Sequence, residues 1–360
     1  MDAQENGSHR AAASRTFRRR SVDLSESELV RAVPAAKDAL PLVMQPTSPD
    51  VDLAEWGRAH LDVLNAHLIQ HGGILFRGFD LPSVAAFERV AGSFYSELYG
   101  GYGDLPRVGT SDKIYKSTPY PADKPILFHN ESSHLRIWPQ KISFFCIQAA
   151  ESGGETPLLD CRAVLGQFDP ALVKRFEEKG LMYVRNFVEG VDVSWQQFFQ
   201  TSDKAVVEAR CANEGVECVW RPDGALRTRF RTRAVSPHPV TGARLFFNQI
   251  QLHHIRCLDA DVRESLLSLF PEDDLPRHVY FGDGSPIEDS IMDEITELYW
   301  RVSVKGPWQN GDLILLDNMR TAHARMPFAG ARSIAVAMGE MTDGRATSSH
   351  VSDAPIGIAD

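Results

Sequence analysis

From residue 142 onward the chain is a series of short apolar segments separated by turn residues, and this pattern limits the folds open to it. Short apolar runs bounded by Gly, Pro, Asn and Asp are typical of β-strands that are buried on at least one face. The segments lie at 142–147, 245–247, 313–316 and 334–338. The pattern therefore favours a β-barrel or β-sandwich with insertions.

Helical segments surround this β-rich part. Apolar residues at helical spacing predict a helix over 52–70, and paired glycines end it. Further helices are predicted at 25–33, 82–93, 170–180 and 259–269, and a short buried strand at 74–76. Because the sequence shows no internal repeat and no interdomain linker, we expect a single catalytic domain with helical insertions (23–345). A mobile N-terminal arm (1–22) precedes it and a C-terminal tail (346–360) follows it.

Charge and cysteine content exclude several classes of partner. The net charge is −10, which argues against a nucleic-acid partner, because such binding needs a basic face. Five scattered cysteines without a C-x-x-C pair favour a reducing compartment over a disulfide framework. No apolar run approaches the roughly 18 residues that span a bilayer. We therefore predict a cytoplasmic protein with no membrane partner.

The triplet His129-Asn130-Glu131 is a candidate metal site. Side chains two positions apart lie on the same face of an extended strand, so His129 and Glu131 can offer an imidazole and a carboxylate to one cation. Taken alone, such a triplet is more often an ordinary surface strand.

Two later segments could complete the site. The apolar strand at 313–316 leads to His323, and Arg332 follows nine residues further on. The histidine would complete a two-His-one-carboxylate set, and the arginine suits a carboxylate ligand. The turn containing Gly153 and Gly154 places the Thr156 hydroxyl at a fixed position. The competing interpretations are a solvated hairpin and a simple tight turn.

In their order along the chain, these segments resemble the taurine dioxygenase-like (TauD/TfdA) family of iron(II)/2-oxoglutarate oxygenases. The resemblance is strongest to the SyrP-like branch of nonribosomal peptide biosynthesis and extends more remotely to clavaminate synthase. It implies a double-stranded β-helix (jelly-roll) core in a mainly β chain, with Fe(II), 2-oxoglutarate and O2 as cofactor and co-substrates. The matching segments are 117–121, 129–131, 138–139, 144–146, 153–157, 238–239, 241–242, 247–249 and 317–323, with Arg332.

The resemblance also implies roles for single residues. His129, Glu131 and His323 match the metal ligands, and Arg332 with Thr156 would bind the distal carboxylate of 2-oxoglutarate. Several relatives place this arginine further from the histidine, so Arg325 stays an alternative. The carboxylate ligand favours hydroxylation over halogenation, and desaturation or epoxidation remain open.

The expected substrate is an amino acid, or an aminoacyl group on a peptidyl carrier protein. Its predicted contacts are Thr118, Asn130, Phe247 and Asn248. Four arginines at period two could bind a substrate carboxylate or a carrier, although a solvated strand face explains them equally: Arg227, Arg229, Arg231 and Arg233. The adjacent His253 and His254 are interpreted as structural rather than as a second metal site.

Two other functions compete with the oxygenase. A non-catalytic jelly-roll binding module would keep the fold without turnover. A zinc hydrolase could use the same three ligands with an activated water, but it would need neither the glycine turn nor Arg332.

Overall fold

The computed structural model describes residues 29–33, 39–100, 108, 113–188 and 190–344. The predicted N-terminal arm and C-terminal tail lie outside these ranges, and the domain boundaries stay predictions. Two β-sheets packed face to face form the centre of the described chain, and helices cover one of them.

The larger sheet has seven strands. They are β1 (Val30–Ala32), β2 (Leu42–Pro46), β3 (Gly73–Phe76), β4 (Ile114–Lys116), β6 (Ile137–Gln148), β15 (Leu313–Asp317) and β18 (Ser333–Asp343). Their order is β1-β2-β3-β15-β6-β18-β4, and all neighbours are antiparallel except β2 and β3. The predicted strands at 74–76, 142–147, 313–316 and 334–338 are confirmed here.

The smaller sheet has three strands, β5 (Ile126–His129), β8 (Leu158–Asp160) and β16 (Thr321–Arg325), in the order β5-β16-β8. It packs on the inner face of the larger sheet, where Leu158 joins Phe144, Leu316 and Val336 in one apolar cluster. The two sheets form the predicted jelly-roll core. They do not close into a barrel, so the sandwich alternative is correct.

Alternation along β15 shows why this sheet is buried on both faces. Ile314 and Leu316 point toward the smaller sheet, whereas Leu313 and Leu315 pack with the N-terminal helices. In the described ranges the chain forms ten α-helices: α1 (Leu53–Ala59), α2 (Leu61–His71), α3 (Val84–Phe94), α4 (Cys161–Leu165), α5 (Pro170–Lys179), α6 (Trp195–Phe199), α7 (Lys204–Glu214), α8 (Ile250–His253), α9 (Ala260–Leu269) and α10 (Asp289–Val302).

The remaining strands lie in three further sheets. A four-stranded sheet combines β9 (Leu181–Phe187), β10 (Glu217–Trp220), β11 (Leu226–Thr232) and β14 (Arg277–Phe281) in the order β10-β11-β9-β14. Two short pairs join β12 (Val235–Pro237) with β13 (Arg244–Phe246), and β7 (Ser152–Gly153) with β17 (Phe328–Ala329).

Two helix predictions differ from the structure. The helix predicted over 25–33 is wrong in its described part, because Val30–Ala32 pairs with β2 as a strand and buries Val30. The helix predicted over 52–70 is divided at His60 into α1 and α2, and Gly72 ends α2 in the left-handed region at φ 78°.

Candidate metal centre

Three potential metal ligands meet at one end of the smaller sheet. His129 is the last residue of β5, and His323 lies directly opposite it on β16. Their ring centroids are 4.3 Å apart. One ligand atom from each histidine and from Glu131 lies within 4.8 Å of the others, and in the described part of the chain no other such group forms.

Both imidazoles are suited to metal binding. His129 Nδ1 lies 2.8 Å from the Leu127 carbonyl, so this nitrogen donates and Nε2 keeps its lone pair for a metal. His323 is 5% exposed, and its Nδ1 has no hydrogen-bond partner among the described residues. Burial, and then the neighbouring His129, lowers the pKa of His323 well below its usual value, so the ring is neutral at pH 7. Two imidazoles and one carboxylate on one side are a donor set that fits non-haem iron(II).

Glu131 is positioned by a turn and not by a strand. The prediction that the extended segment continues through Glu131 is wrong, because β5 ends at His129. The buried Asn318 holds this turn instead. Its Oδ1 accepts from the Glu131 amide at 2.7 Å, and its Nδ2 donates to the carbonyls of Glu131 (2.9 Å) and Pro139 (2.8 Å).

A second buried pair supports Asn318. His238 Nε2 lies 2.8 Å from Asp317 Oδ2, and Asp317 Oδ1 accepts from the amides of Met319 and Arg320. These contacts fix the turn that carries Asn318. Sequence reasoning placed His238, Asp317 and Asn318 in matching segments but gave none of them a role in the site.

A cavity opens beside the three potential ligands, which form part of its wall. Its wall includes the predicted 2-oxoglutarate residues Thr156, Arg325 and Arg332, as well as Thr118. The apolar part of the wall is formed by Ile126, Ile142, Phe144, Ile334 and Val336. The structure therefore brings the predicted metal and co-substrate residues together.

The two candidate arginines differ in what they already bind. Arg325 donates to the carbonyls of Tyr120, Pro121 and Lys124, and so fastens the loop before β5. Among the described residues, Arg332 makes a single hydrogen bond, from Nε to the Gly154 carbonyl. Burial, and then the charge of Arg325, lowers the pKa of Arg332 to about 10. A half-buried guanidinium with two terminal nitrogens still to be partnered is suited to a carboxylate.

The glycine turn makes room for Arg332. A Cβ on Gly154 would lie 3.0 Å from both Cδ and Nε of Arg332, and its φ of +72° disfavours other residues. Thr156 Oγ1 accepts from Trp308 Nε1 at 3.1 Å, so its own proton can be donated into the cavity.

Three of the four predicted substrate contacts do not line this cavity. Asn130 is 1% exposed, and its side chain bonds the Asn318 carbonyl and the Asn248 amide. Phe247 is buried against Trp138, and Asn248 lies at the start of α8, where its Oδ1 accepts from the Ile250 amide. Asn130 and Phe247 thus make structural contacts, and the substrate roles of these three residues stay predictions.

The arginines on β11 form ion pairs with acids on their own surface. Arg227 pairs with Asp274, and both Arg229 and Arg231 pair with Glu217. Arg233 lies just beyond the strand. His253 and His254 bond the carbonyls of Gln249 and Ile287, as their structural interpretation requires.

A jelly-roll core with two histidines and a carboxylate at one end of its smaller sheet defines the class of metal-dependent oxygenases. The chain belongs to the taurine catabolism dioxygenase TauD, TfdA family, whose sequence profile matches residues 37–338. It is an iron(II)/2-oxoglutarate-dependent dioxygenase, using Fe(II), 2-oxoglutarate and O2 as this family does. The binding-module and zinc-hydrolase alternatives are thereby set aside.

Two curated relatives and one solved structure illustrate the similarity. The dapdiamide synthesis protein DdaC of Enterobacter agglomerans is 36% identical over 316 residues, 88% of this chain and 95% of that protein. A clavaminate synthase-like protein of Arabidopsis thaliana is 30% identical over 282 residues, 75% of this chain and 82% of that protein. A taurine dioxygenase from Burkholderia xenovorans shares the fold, with TM-score 0.51 and 13% identity, covering 86% of this chain and 89% of its own. Within the described ranges, no helix is both long and apolar enough to cross a membrane.

Proposed function

We propose that His129, Glu131 and His323 hold Fe(II), and that Arg332 with Thr156 binds the distal carboxylate of 2-oxoglutarate. The observation that carries this assignment is the shared cavity: a half-buried arginine with two unpartnered terminal nitrogens lines the same wall as the three potential ligands. A keto acid whose distal carboxylate meets Arg332 can direct its other end to the metal.

The protein's own groups position the reactants and exclude water. Asn318 fixes the backbone of Glu131, the Leu127 carbonyl fixes the tautomer of His129, and Phe144 packs 4.8 Å from the His323 ring. The bound iron, with 2-oxoglutarate and O2, supplies the oxidation of an unactivated carbon. Apolar walls beside the ligands limit the access of bulk water to this reaction.

We further propose that the reaction is hydroxylation of an amino acid, free or held as an aminoacyl group on a carrier protein, in cytoplasmic secondary metabolism. Support comes from the similarity to a protein named for dapdiamide synthesis. The carboxylate ligand Glu131 supports oxygen insertion over halogenation, because a halogenase of this type lacks that ligand. Desaturation and epoxidation are the alternatives for the same site.

The substrate class is tested with two matched panels. The common amino acids are offered free, and then as thioesters on a phosphopantetheinylated carrier protein, with iron and 2-oxoglutarate. We expect substrate-dependent succinate formation in one panel, and a product that gains one oxygen atom. Loss of two hydrogen atoms would show desaturation instead. Failure of every member of both panels to stimulate succinate formation would refute the proposed substrate class.

A further inference from the structure

Helix α8 lies directly beside the strand that carries the first metal ligand. The Phe128 amide donates to Gln251 Oε1 at 3.1 Å, and the Asn130 amide donates to the Asn248 carbonyl at 3.2 Å. Gln249 Nε2 returns a hydrogen bond to the Asn130 carbonyl at 3.0 Å. These bonds hold the end of α8, residue His253, next to the turn that contains Glu131.

At this point two imidazoles and a phenol form a compact cluster. The His253 ring lies 4.9 Å from His134 and 4.8 Å from Tyr183. His253 Nδ1 is held by the Gln249 carbonyl, and the Tyr183 hydroxyl accepts from the Gln249 amide. By contrast, Nδ1 of His134 is buried without a hydrogen-bond partner among the described residues. A buried polar nitrogen of this kind costs desolvation free energy unless a ligand or water partners it.

Two arginines lie on the same face of the four-stranded sheet as Tyr183. Arg185 on β9 and Arg277 on β14 are register partners, and both guanidinium groups bond the carboxylate of Asp192 at 3.1 Å. The two guanidinium groups and the Asp192 carboxylate together carry a net charge of +1. Arg185 is stacked on Phe198 at 4.4 Å, whereas the Arg277 side chain is 47% exposed and can be reached by a ligand.

The two arginines lower the pKa values of both imidazoles. Burial is the main cause that lowers the pKa of His253 to about 3, and Arg277 and Arg185 lower it further. Burial, then His253, then the same two arginines lower the pKa of His134 well below its usual value. Both rings are therefore neutral hydrogen-bonding groups in a locally positive environment, which repels a second metal cation and attracts an anion.

We propose that His134, Arg185 and Arg277 form a subsite for a carboxylate group of the substrate, next to the metal ligands. This inference rests on the proposed function and specifies its substrate: a compound that keeps a free carboxylate besides the carbon that is oxidised. Asp192 already binds Nε and Nη2 of Arg277, so a substrate carboxylate would accept from its Nη1. His134 Nδ1 can donate the further hydrogen bond that it lacks in the structure. His253 and Tyr183 orient His134 by ring packing.

The other face of the same sheet provides a matched control. Arg229 projects from β11 on the opposite side from Arg185 and is paired with Glu217 at 2.6 Å. Replacing Arg229 by Gln removes one arginine from this sheet without touching the proposed subsite. The Arg277→Gln variant removes the exposed member of the subsite, so the fold is expected to tolerate both changes.

The test is calorimetric binding to protein loaded with Mn(II) and N-oxalylglycine, which occupies the 2-oxoglutarate position. The probes are pairs that differ only in carboxylate or amide: aspartate and asparagine, glutamate and glutamine, and each common amino acid with its primary amide. We expect at least one carboxylate to bind about tenfold or more tightly than its amide. This preference should disappear in Arg277→Gln and persist in Arg229→Gln.

The absence of a carboxylate preference in every pair, or its persistence in Arg277→Gln, would overturn the subsite. His134→Phe is a second variant that keeps the ring volume. It should weaken carboxylate binding and leave N-oxalylglycine binding intact, and unchanged carboxylate binding would overturn the role of His134. Failure of the wild type to bind N-oxalylglycine would refute the proposed function itself, so the two failures are distinguishable.

Discussion

Replacement of Asn318 by Ala should weaken iron binding by a larger factor than any substitution of similar structural cost elsewhere. Asn318 is 0% exposed, and its amide makes three hydrogen bonds, two to the backbone of Glu131 and one to Pro139. At about 1 kcal/mol for each net hydrogen bond, their loss destabilises the fold by about 3 kcal/mol. Release of the Glu131 turn should reduce metal affinity by about 10- to 100-fold, as is usual when a residue that orients a ligand is lost.

The assay combines urea unfolding of the apoprotein with anaerobic Fe(II) titration. Asn186→Ala is the matched control, because Asn186 is also buried and its amide bonds the Leu275 carbonyl (2.7 Å) and Arg227 (2.7 Å), away from the site. Both variants should lose stability, and only Asn318→Ala should lose iron affinity. Iron affinity within about threefold of wild type in folded Asn318→Ala would refute the positioning role.

Three further predictions concern the cavity and its surroundings. Gly154→Ala should weaken 2-oxoglutarate binding without changing Fe(II) affinity in calorimetry, because the new Cβ meets the side chain of Arg332. Arg332→Gln should weaken 2-oxoglutarate binding by about 10-fold or more, since a charge-assisted pair is lost. Arg325→Gln should instead mainly lower the melting temperature. The reverse pattern would exchange the roles of the two arginines. Burial lowers the pKa of His254 and of His278 from 6.5 to about 4, so both are neutral when folded. Their contribution to the unfolding free energy is fully present above pH 6.5 and is lost as the pH falls toward 4. The loss is about 1.4 kcal/mol per pH unit for each histidine. Replacing His278 by Phe should therefore flatten the measured pH dependence of the unfolding free energy.

The strands of the core could be predicted from the sequence because each has a local signal. The run at 313–316 is apolar on both faces, as a strand between helices and a second sheet must be. His129, Glu131, His323 and Arg332 were found through their order along the chain. Strand β1 was predicted as part of a helix because its pairing with β2, and not local propensity, determines its conformation.

Contacts between distant residues could not be predicted in the same way. Asn318 reaches Glu131 across 187 positions of the chain, and no periodicity in the sequence indicates that pairing. The opposition of Arg185 and Arg277 depends on the register of two strands that are separated by four helices. The burial of Asn130 depends in the same way on a distant contact, because its side chain donates to the Asn318 carbonyl.

The central claim is that Glu131 and the two histidines hold iron in reach of 2-oxoglutarate, and anaerobic titration tests it most directly. Apoprotein is titrated with Fe(II) and 2-oxoglutarate while the weak visible charge-transfer band of the chelate is recorded, beside Glu131→Ala and the surface control Glu217→Ala. We expect the band in wild type and in Glu217→Ala, and its loss in Glu131→Ala. A wild type without the band, or a Glu131→Ala variant that keeps it at full strength, would contradict the assignment of the metal centre.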